Sequence, residues 1–259
     1  MYFYALSLCS GHYSLTEVLE MKQLWSQIVE NISFIVCCIA IIAGLSLLAR
    51  LAEHFMPEKR KVSIARRCSI IGICAAIATI LHMLDFSIPF IAPEFYKLDF
   101  SELPVLLCGF FLGPSATVAC EGIKILLKLL LKGTSTAFVG DFANFFVGCS
   151  LVLPATIFYH LRKSKNSAVL GLIIGSICIT VFGSAFNAIY LLPKFAQLYG
   201  IPLDAIIGMG SKINPLIQNV TSFVFFCVAP LNLLKAVAVS VLTMLLYKRV
   251  ARPLFGKSL

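Results

Sequence analysis

The chain has 259 residues, 59% of them hydrophobic and 13% charged, with a mean hydropathy of +0.95. That composition excludes a soluble globular domain and defines an all-α, polytopic membrane protein whose first partner is the lipid bilayer. The net charge of +9 does not mark a nucleic-acid surface, because the basic residues cluster at the ends of apolar runs, as they do where they orient membrane helices.

Residues 1–20 are mixed in character and carry no period, and Met21-Lys22 offers an alternative start. The first apolar run, residues 32–49, lacks a preceding basic region and a small-x-small cleavage site, so it reads as a retained helix, not a signal sequence. Met56-Pro57 divides the chain into an N-terminal segment, 1–56, with one extra transmembrane helix, and a compact six-helix membrane domain, 57–259. The later runs are 68–84, 103–112, 116–131, 142–161, 168–192 and 220–246, against the roughly 20 residues that a crossing needs. The third run is short; extended back to Leu98 it spans about 22 Å at 1.5 Å per residue. It is expected as a short helix buried among its neighbours, ended by Gly113-Pro114, which starts the next.

Three basic clusters fix the parity. They are Arg50/Lys59/Arg60/Lys61/Arg66/Arg67, then Arg162/Lys163/Lys165, then Lys248/Arg249/Arg252/Lys257. All three fall on one face only if residues 98–131 form a hairpin. The expectation is therefore seven helices, the N-terminus outside and the C-terminus in the cytoplasm. Parity then makes the loops 85–98 and 193–215 extracellular, where they either close over a ligand or lie as interfacial re-entrant segments.

Catalytic signatures are absent. No Gly-x4-Gly-Lys-Ser/Thr loop, His-Glu-x-x-His, Gly-x-Ser-x-Gly or paired-carboxylate pattern occurs, so an enzyme is not expected and no catalytic residue is assigned. Nine of the ten cysteines lie in or beside apolar runs without disulfide or zinc spacing, so they read as reduced small hydrophobes and no metal is expected. The histidines (His12, His54, His82, His160) read as interfacial. Glu121, Lys124 and Lys128 share a helix face, the pattern of an internal ion pair with Lys128 snorkelling. Asp141 reads as the N-cap of the fifth run, with Asn144 just inside. The Asn187 amide, in the sixth run, needs partners from another helix or from a polar ligand.

The C-terminal run is the most informative. Asn232 and Lys235 share a face just after Pro230, which removes a backbone donor and frees a carbonyl. An ionisable group with apolar helix on both sides is a functional-site candidate; the alternative is a proline kink with a snorkelling lysine. Small residues at Gly72, Ala75, Ala76 and Thr79, and at Gly171 and Gly175, permit close helix approach.

Several of these stretches resemble the substrate-binding S components of energy-coupling-factor (ECF) vitamin transporters, in particular the riboflavin-binding kind. They are Leu98-Asp-Phe-Ser-Glu-Leu-Pro-Val105, Gly109-Phe-Phe-Leu-Gly-Pro114, Glu121-Gly-Ile-Lys124 and Phe142-Ala-Asn-Phe-Phe-Val-Gly148, with residues 187–193, Leu203-Asp-Ala-Ile-Ile-Gly-Met-Gly210, Ile213-Asn-Pro215 and Pro230-Leu-Asn-Leu-Leu-Lys235. The resemblance covers residues 64–250 and implies a six-helix S-component bundle, from which the extra N-terminal helix departs. It implies a subunit in a bacterial plasma membrane that captures riboflavin outside. The partners it implies are a coupling membrane subunit and two ATPase subunits, consistent with the missing P-loop. Riboflavin is then the transported ligand, with no cofactor. The resemblance assigns Asn187, Asn232 and Lys235 to the isoalloxazine, with Asn144, Asp99 and Glu102 in the same substrate site, and places partner docking at Gly72, Ala75, Ala76 and Thr79. An Asn amide offers the donor and the acceptor that the flavin pyrimidine edge requires, and a lysine adds a charged donor. The alternatives are flavin mononucleotide or another vitamin, and, from a different class, a membrane enzyme acting on a lipid, which requires an acidic metal motif not visible here.

Overall fold

The computed structural model describes residues 36–56, 62–134, 136 and 138–255, with side chains except at 248 and 250–255. Expectations for residues 1–35 and for the basic residues 59–61 and 257 lie outside the described residues. The chain separates into two compact units, Met1–Leu45 and Ser46–Leu259. Of the first, only residues 36–45 are described, and they are helical.

The fold is all-α. Helix α1 is Val36–His54 and α2 is Ile64–Met83, followed by a two-stranded hairpin, β1 (Phe86–Ser87) and β2 (Lys97–Leu98). Then come α3 (Glu102–Leu112), α4 (Pro114–Lys132), α5 (Val139–Arg162), α6 (Lys165–Phe186), α7 (Leu192–Tyr199), α8 (Leu203–Ser211), α9 (Val220–Phe223) and α10 (Ala229–Phe255). Among the described residues, five helical stretches are long and apolar enough to cross a membrane: Val36–His54, Ile64–Met83, Val139–Arg162, Lys165–Tyr199 and Val220–Tyr247. The two other expected helices are α3, short and almost wholly buried, and α4, which carries Glu121, Lys124, Lys128 and Lys132. Over its described residues each expected run is therefore a helix, and the chain is a multi-pass membrane protein.

Three boundaries differ from the sequence reading. First, α3 starts at Glu102, not Leu98. Residues 97 and 98 pair instead with 87 and 86 in an antiparallel register, and the Asp99 carboxylate accepts the Ser101 N–H at 2.8 Å in a turn before the helix. Second, the sixth run continues past Pro193 to Tyr199. A π turn at Asn187–Leu191 precedes that proline, and another at Val224–Val228 precedes Pro230. In both, the residue before the proline donates five back: Leu192 N–H to Asn187 O, and Ala229 N–H to Val224 O. A proline ring collides with the carbonyl four residues back in a regular α-helix, and the wider turn relieves that collision. Third, the loop 193–215 contains α8.

The core has two parts. One packs α2 to α6 and α10 around residues such as Leu106, Cys108, Leu151, Ile179 and Val239. Gly171 and Gly175 let α5 and α6 touch there: a Cβ at either would lie 2.5 or 2.4 Å from the Ala155 or Leu151 carbonyl oxygen. The other joins the hairpin loop to α8 and α9 through Ala92, Leu98, Ile206, Ile217 and Phe223. The two loops expected on one side are thus packed on each other. Gly210 makes room for this, since a Cβ there would meet the Phe223 ring at 2.6 Å.

The turn from α3 to α4 has its own anchor. Gly113, at φ +104°, occupies a conformation that L side chains rarely adopt, and a Cβ there would lie 2.7 Å from Glu53 Oε1. That oxygen accepts from the Ser115 backbone N–H at 2.8 Å and the Ser115 hydroxyl at 2.7 Å, so Glu53 caps α4 from outside the helix. Arg67 donates to the same hydroxyl at 2.6 Å.

Candidate functional site: a buried charge cluster beside two asparagines

Five elements bring ionisable groups together in the interior. Lys235, on α10, donates to Glu102 Oε1 at 2.8 Å and to Asp99 Oδ2 at 3.2 Å. Lys124, on α4 and fully buried, donates to Glu121 Oε1 at 2.5 Å and to the Ser101 hydroxyl at 3.0 Å, and lies 3.6 Å from Glu102 Oε1. His82 Nδ1, at the end of α2, lies 3.2 Å from Asp99 Oδ2. Burying charges is tolerated only where partners replace water, and here each ammonium has at least two carboxylates within reach. The second oxygens of Glu102 and Glu121 are buried without a hydrogen-bond partner among the described residues. Gly148 on α5 admits the Glu121 carboxylate, since a Cβ there would lie 2.2 Å from Glu121 Oε1.

One turn of α10 away is a second polar centre. Asn187 begins its π turn, donates from Nδ2 to Gly183 O at 2.8 Å, and accepts the Tyr96 hydroxyl at 2.8 Å. Asn232 Nδ2 is buried without a partner among the described residues and lies against the same glycine, where a Cβ would be 2.7 Å away. Phe186 stacks on Tyr190 at 5.4 Å between ring centroids and meets Phe146 edge-on at 6.3 Å, an aromatic wall beside Asn187.

The six residues expected in a substrate site therefore fall into three places. Asp99, Glu102 and Lys235 are in the charge cluster, Asn187 and Asn232 meet at Gly183, and Asn144 is exposed near the start of α5, outside both. The sequence reading made Glu121 and Lys124 an internal ion pair, and that pair continues through Glu102 to Lys235. Three other readings are corrected. His82 and His160 are buried, not interfacial, and His160 Nε2 lies 2.9 Å from the Gly109 carbonyl oxygen. Asp141 is not an N-cap: Phe138, in a left-handed conformation, starts α5 earlier, and the Asp141 carboxylate turns to Lys128 at 2.5 Å. Lys128 is paired there and does not snorkel freely. Tyr96 carried no sequence signal, and Ser101 only its place in the 98–105 stretch, because a loop aromatic and a pre-helical serine become informative only once their neighbours are known.

On α2, Gly72 and Ala76 are exposed in a stripe with Ile73, Ile77 and Ile80. Ala75 and Thr79 face inward, and the Thr79 hydroxyl donates to the carbonyl oxygens of Ala75 and Lys124. The four expected docking residues thus split between two faces.

A multi-pass helical protein with a polar, charged centre enclosed by apolar helices has the build of a membrane transport component. The family model described as the substrate-specific component of ECF transporters matches residues 66–247, and the chain belongs to that family. It is 32% identical over 198 residues to the riboflavin transporter RibU of Staphylococcus aureus (strain TCH60), a match covering 76% of this chain and 97% of that one. It is 28% identical over 138 residues to the riboflavin transporter FmnP of Bacillus subtilis (strain 168), covering 53% and 72%. Among solved structures, the S component of a bacterial ECF transporter matches with a TM-score of 0.59 and 34% identity, over 74% of this chain and 99% of that one.

Proposed function

We propose that this chain captures riboflavin as the substrate-specific subunit of an ECF importer and passes it on through an ATP-driven complex. The observation that carries the reading is the meeting of Asn187 and Asn232 at Gly183, one turn of α10 from Lys235. Two carboxamides supply donors and acceptors for a flavin pyrimidine edge, which alternates carbonyl oxygens with an N–H. An ammonium has three N–H donors, of which Lys235 gives two to Asp99 and Glu102, so one serves a ligand carbonyl. The Phe186 and Tyr190 rings suit the apolar end of the isoalloxazine. The RibU and FmnP relatives, named as riboflavin transporters, support the ligand class.

In this reading residues 57–259 form the substrate domain and 1–56 an appended segment. The protein lies in a bacterial plasma membrane with its C-terminus in the cytoplasm. Its partners are a coupling membrane subunit and two ATPase subunits, met through the exposed Gly72 and Ala76 stripe, with Ala75 and Thr79 setting that helix against α4. The role is capture, not chemistry, and riboflavin is cargo. Titration of the purified protein with riboflavin, followed by flavin fluorescence, tests the proposal; an unquenched signal at all protein concentrations overturns it.

A further inference from the structure

His82 has no role in the capture just described, yet it is 7% exposed and its Nδ1 faces the Asp99 oxygen that Lys235 also contacts. Contacts of 3.6 Å or less join three carboxylates, Asp99, Glu102 and Glu121, to two ammonium groups, Lys124 and Lys235. Three carboxylates thus face two ammonium groups, and a protonated His82 adds a third positive charge beside Asp99. The groups facing this end of α2 are Asp99 before α3, Glu102 on α3, Glu121 and Lys124 on α4, and Lys235 on α10. Nearby, Asp85 pairs with Lys97 at 3.1 Å and with Lys132 at 3.9 Å, and Lys128 pairs with Asp141, so these three lysines and two aspartates hold one another apart from the cluster.

We propose that His82 is a positioning residue for Lys235, acting through Asp99, and that its protonation makes ligand capture pH dependent. This rests on the reading that Lys235 meets the ligand. A ligand carbonyl that draws the Lys235 ammonium weakens its hold on Asp99 and leaves a buried carboxylate short of counter-charge. Protonated His82 supplies that charge at the same oxygen. Neutral His82 supplies only a hydrogen bond, and only from the tautomer with its proton on Nδ1. The protonated form therefore binds ligand better, and binding takes up a proton. Loss of that proton as pH rises removes the charge beside Asp99, so affinity falls with rising pH.

The test is riboflavin affinity of the purified protein at pH 6, 7 and 8, since riboflavin itself carries no group that titrates there. The expected result is a roughly five- to tenfold weakening from pH 6 to pH 8. His82→Asn keeps a donor toward Asp99 but cannot change charge, so its affinity should be flat with pH. His82→Ala should bind more weakly than His82→Asn throughout. Wild-type affinity that is flat over the range, or a His82→Asn profile as steep as wild type, overturns the proposal; neither result depends on the alanine variant folding. Failure of the wild type to bind riboflavin at any pH overturns the proposed function instead, which is a distinct outcome.

Discussion

Lys124 and Lys235 share one carboxylate oxygen: Glu102 Oε1 lies 3.6 Å from the first ammonium and 2.8 Å from the second. Through that oxygen the fully buried pair on α4 is joined to the lysine on α10, so the packing of the bundle and the orientation of Lys235 depend on the same group. Lys124→Ala removes a buried charge and leaves Glu102 and Glu121 without it. Breaking such a pair from one side costs about 3–5 kcal/mol. Thermal unfolding in detergent, read by size-exclusion profile, should show a large loss of stability, with Lys124→Arg less affected than Lys124→Ala.

The second prediction separates binding from folding. Asn232 Nδ2 is buried without a partner among the described residues, so Asn232→Ala breaks no hydrogen bond donated by that group. It should weaken riboflavin binding by about 1–3 kcal/mol, or roughly five- to a hundredfold, with little change in unfolding temperature. Lys235→Ala should weaken binding as much and also lower stability, because Asp99 and Glu102 lose a shared partner. Fluorescence titration and thermal unfolding on the same samples distinguish the two.

Glu53 predicts where the N-terminal segment can be cut. It caps α4 through Ser115, so deleting residues 1–45 leaves the cap and deleting residues 1–56 removes it. Loss of a cap costs about 1 kcal/mol. The longer deletion should fall below the shorter one in unfolding temperature, and the single change Glu53→Ala should fall below the full chain.

Docking and capture should come apart at the α2 stripe. Ala76 is exposed, and a Cβ at Gly72 would meet nothing within 4 Å, so a leucine at either place fits the isolated protein. Ala76→Leu should therefore keep its riboflavin affinity yet reduce uptake in cells that hold the whole complex, because close helix approach is blocked. Uptake at the wild-type rate excludes this stripe as the docking face.

Much of this was legible beforehand, for identifiable reasons. Hydropathy places the five long helices, since apolar length is what the bilayer demands, and the parity of the basic clusters adds α3 and α4. Glu121 and Lys124 are readable as a pair because three-residue spacing is local. Their connection to Lys235 is not, because it depends on where α3 sits between α4 and α10. His82 lies near the end of its run, where hydropathy does not tell which face turns inward. Asp141 had the right residue type for a cap, but the left-handed Phe138 starts the helix earlier and Lys128 takes the carboxylate. The π turns leave only a faint trace, a proline two residues beyond each, and they carry Asn187 to its place and lead into the helix that holds Asn232.

The most direct test of the account is riboflavin titration of the purified wild type beside the double variant Asn187→Ala/Asn232→Ala, each checked for a single monodisperse peak. The account predicts saturable quenching of flavin fluorescence by the wild type at one flavin per chain and near-complete loss of it in the double variant. A wild type that fails to quench, or a double variant that binds as tightly as wild type, would contradict it.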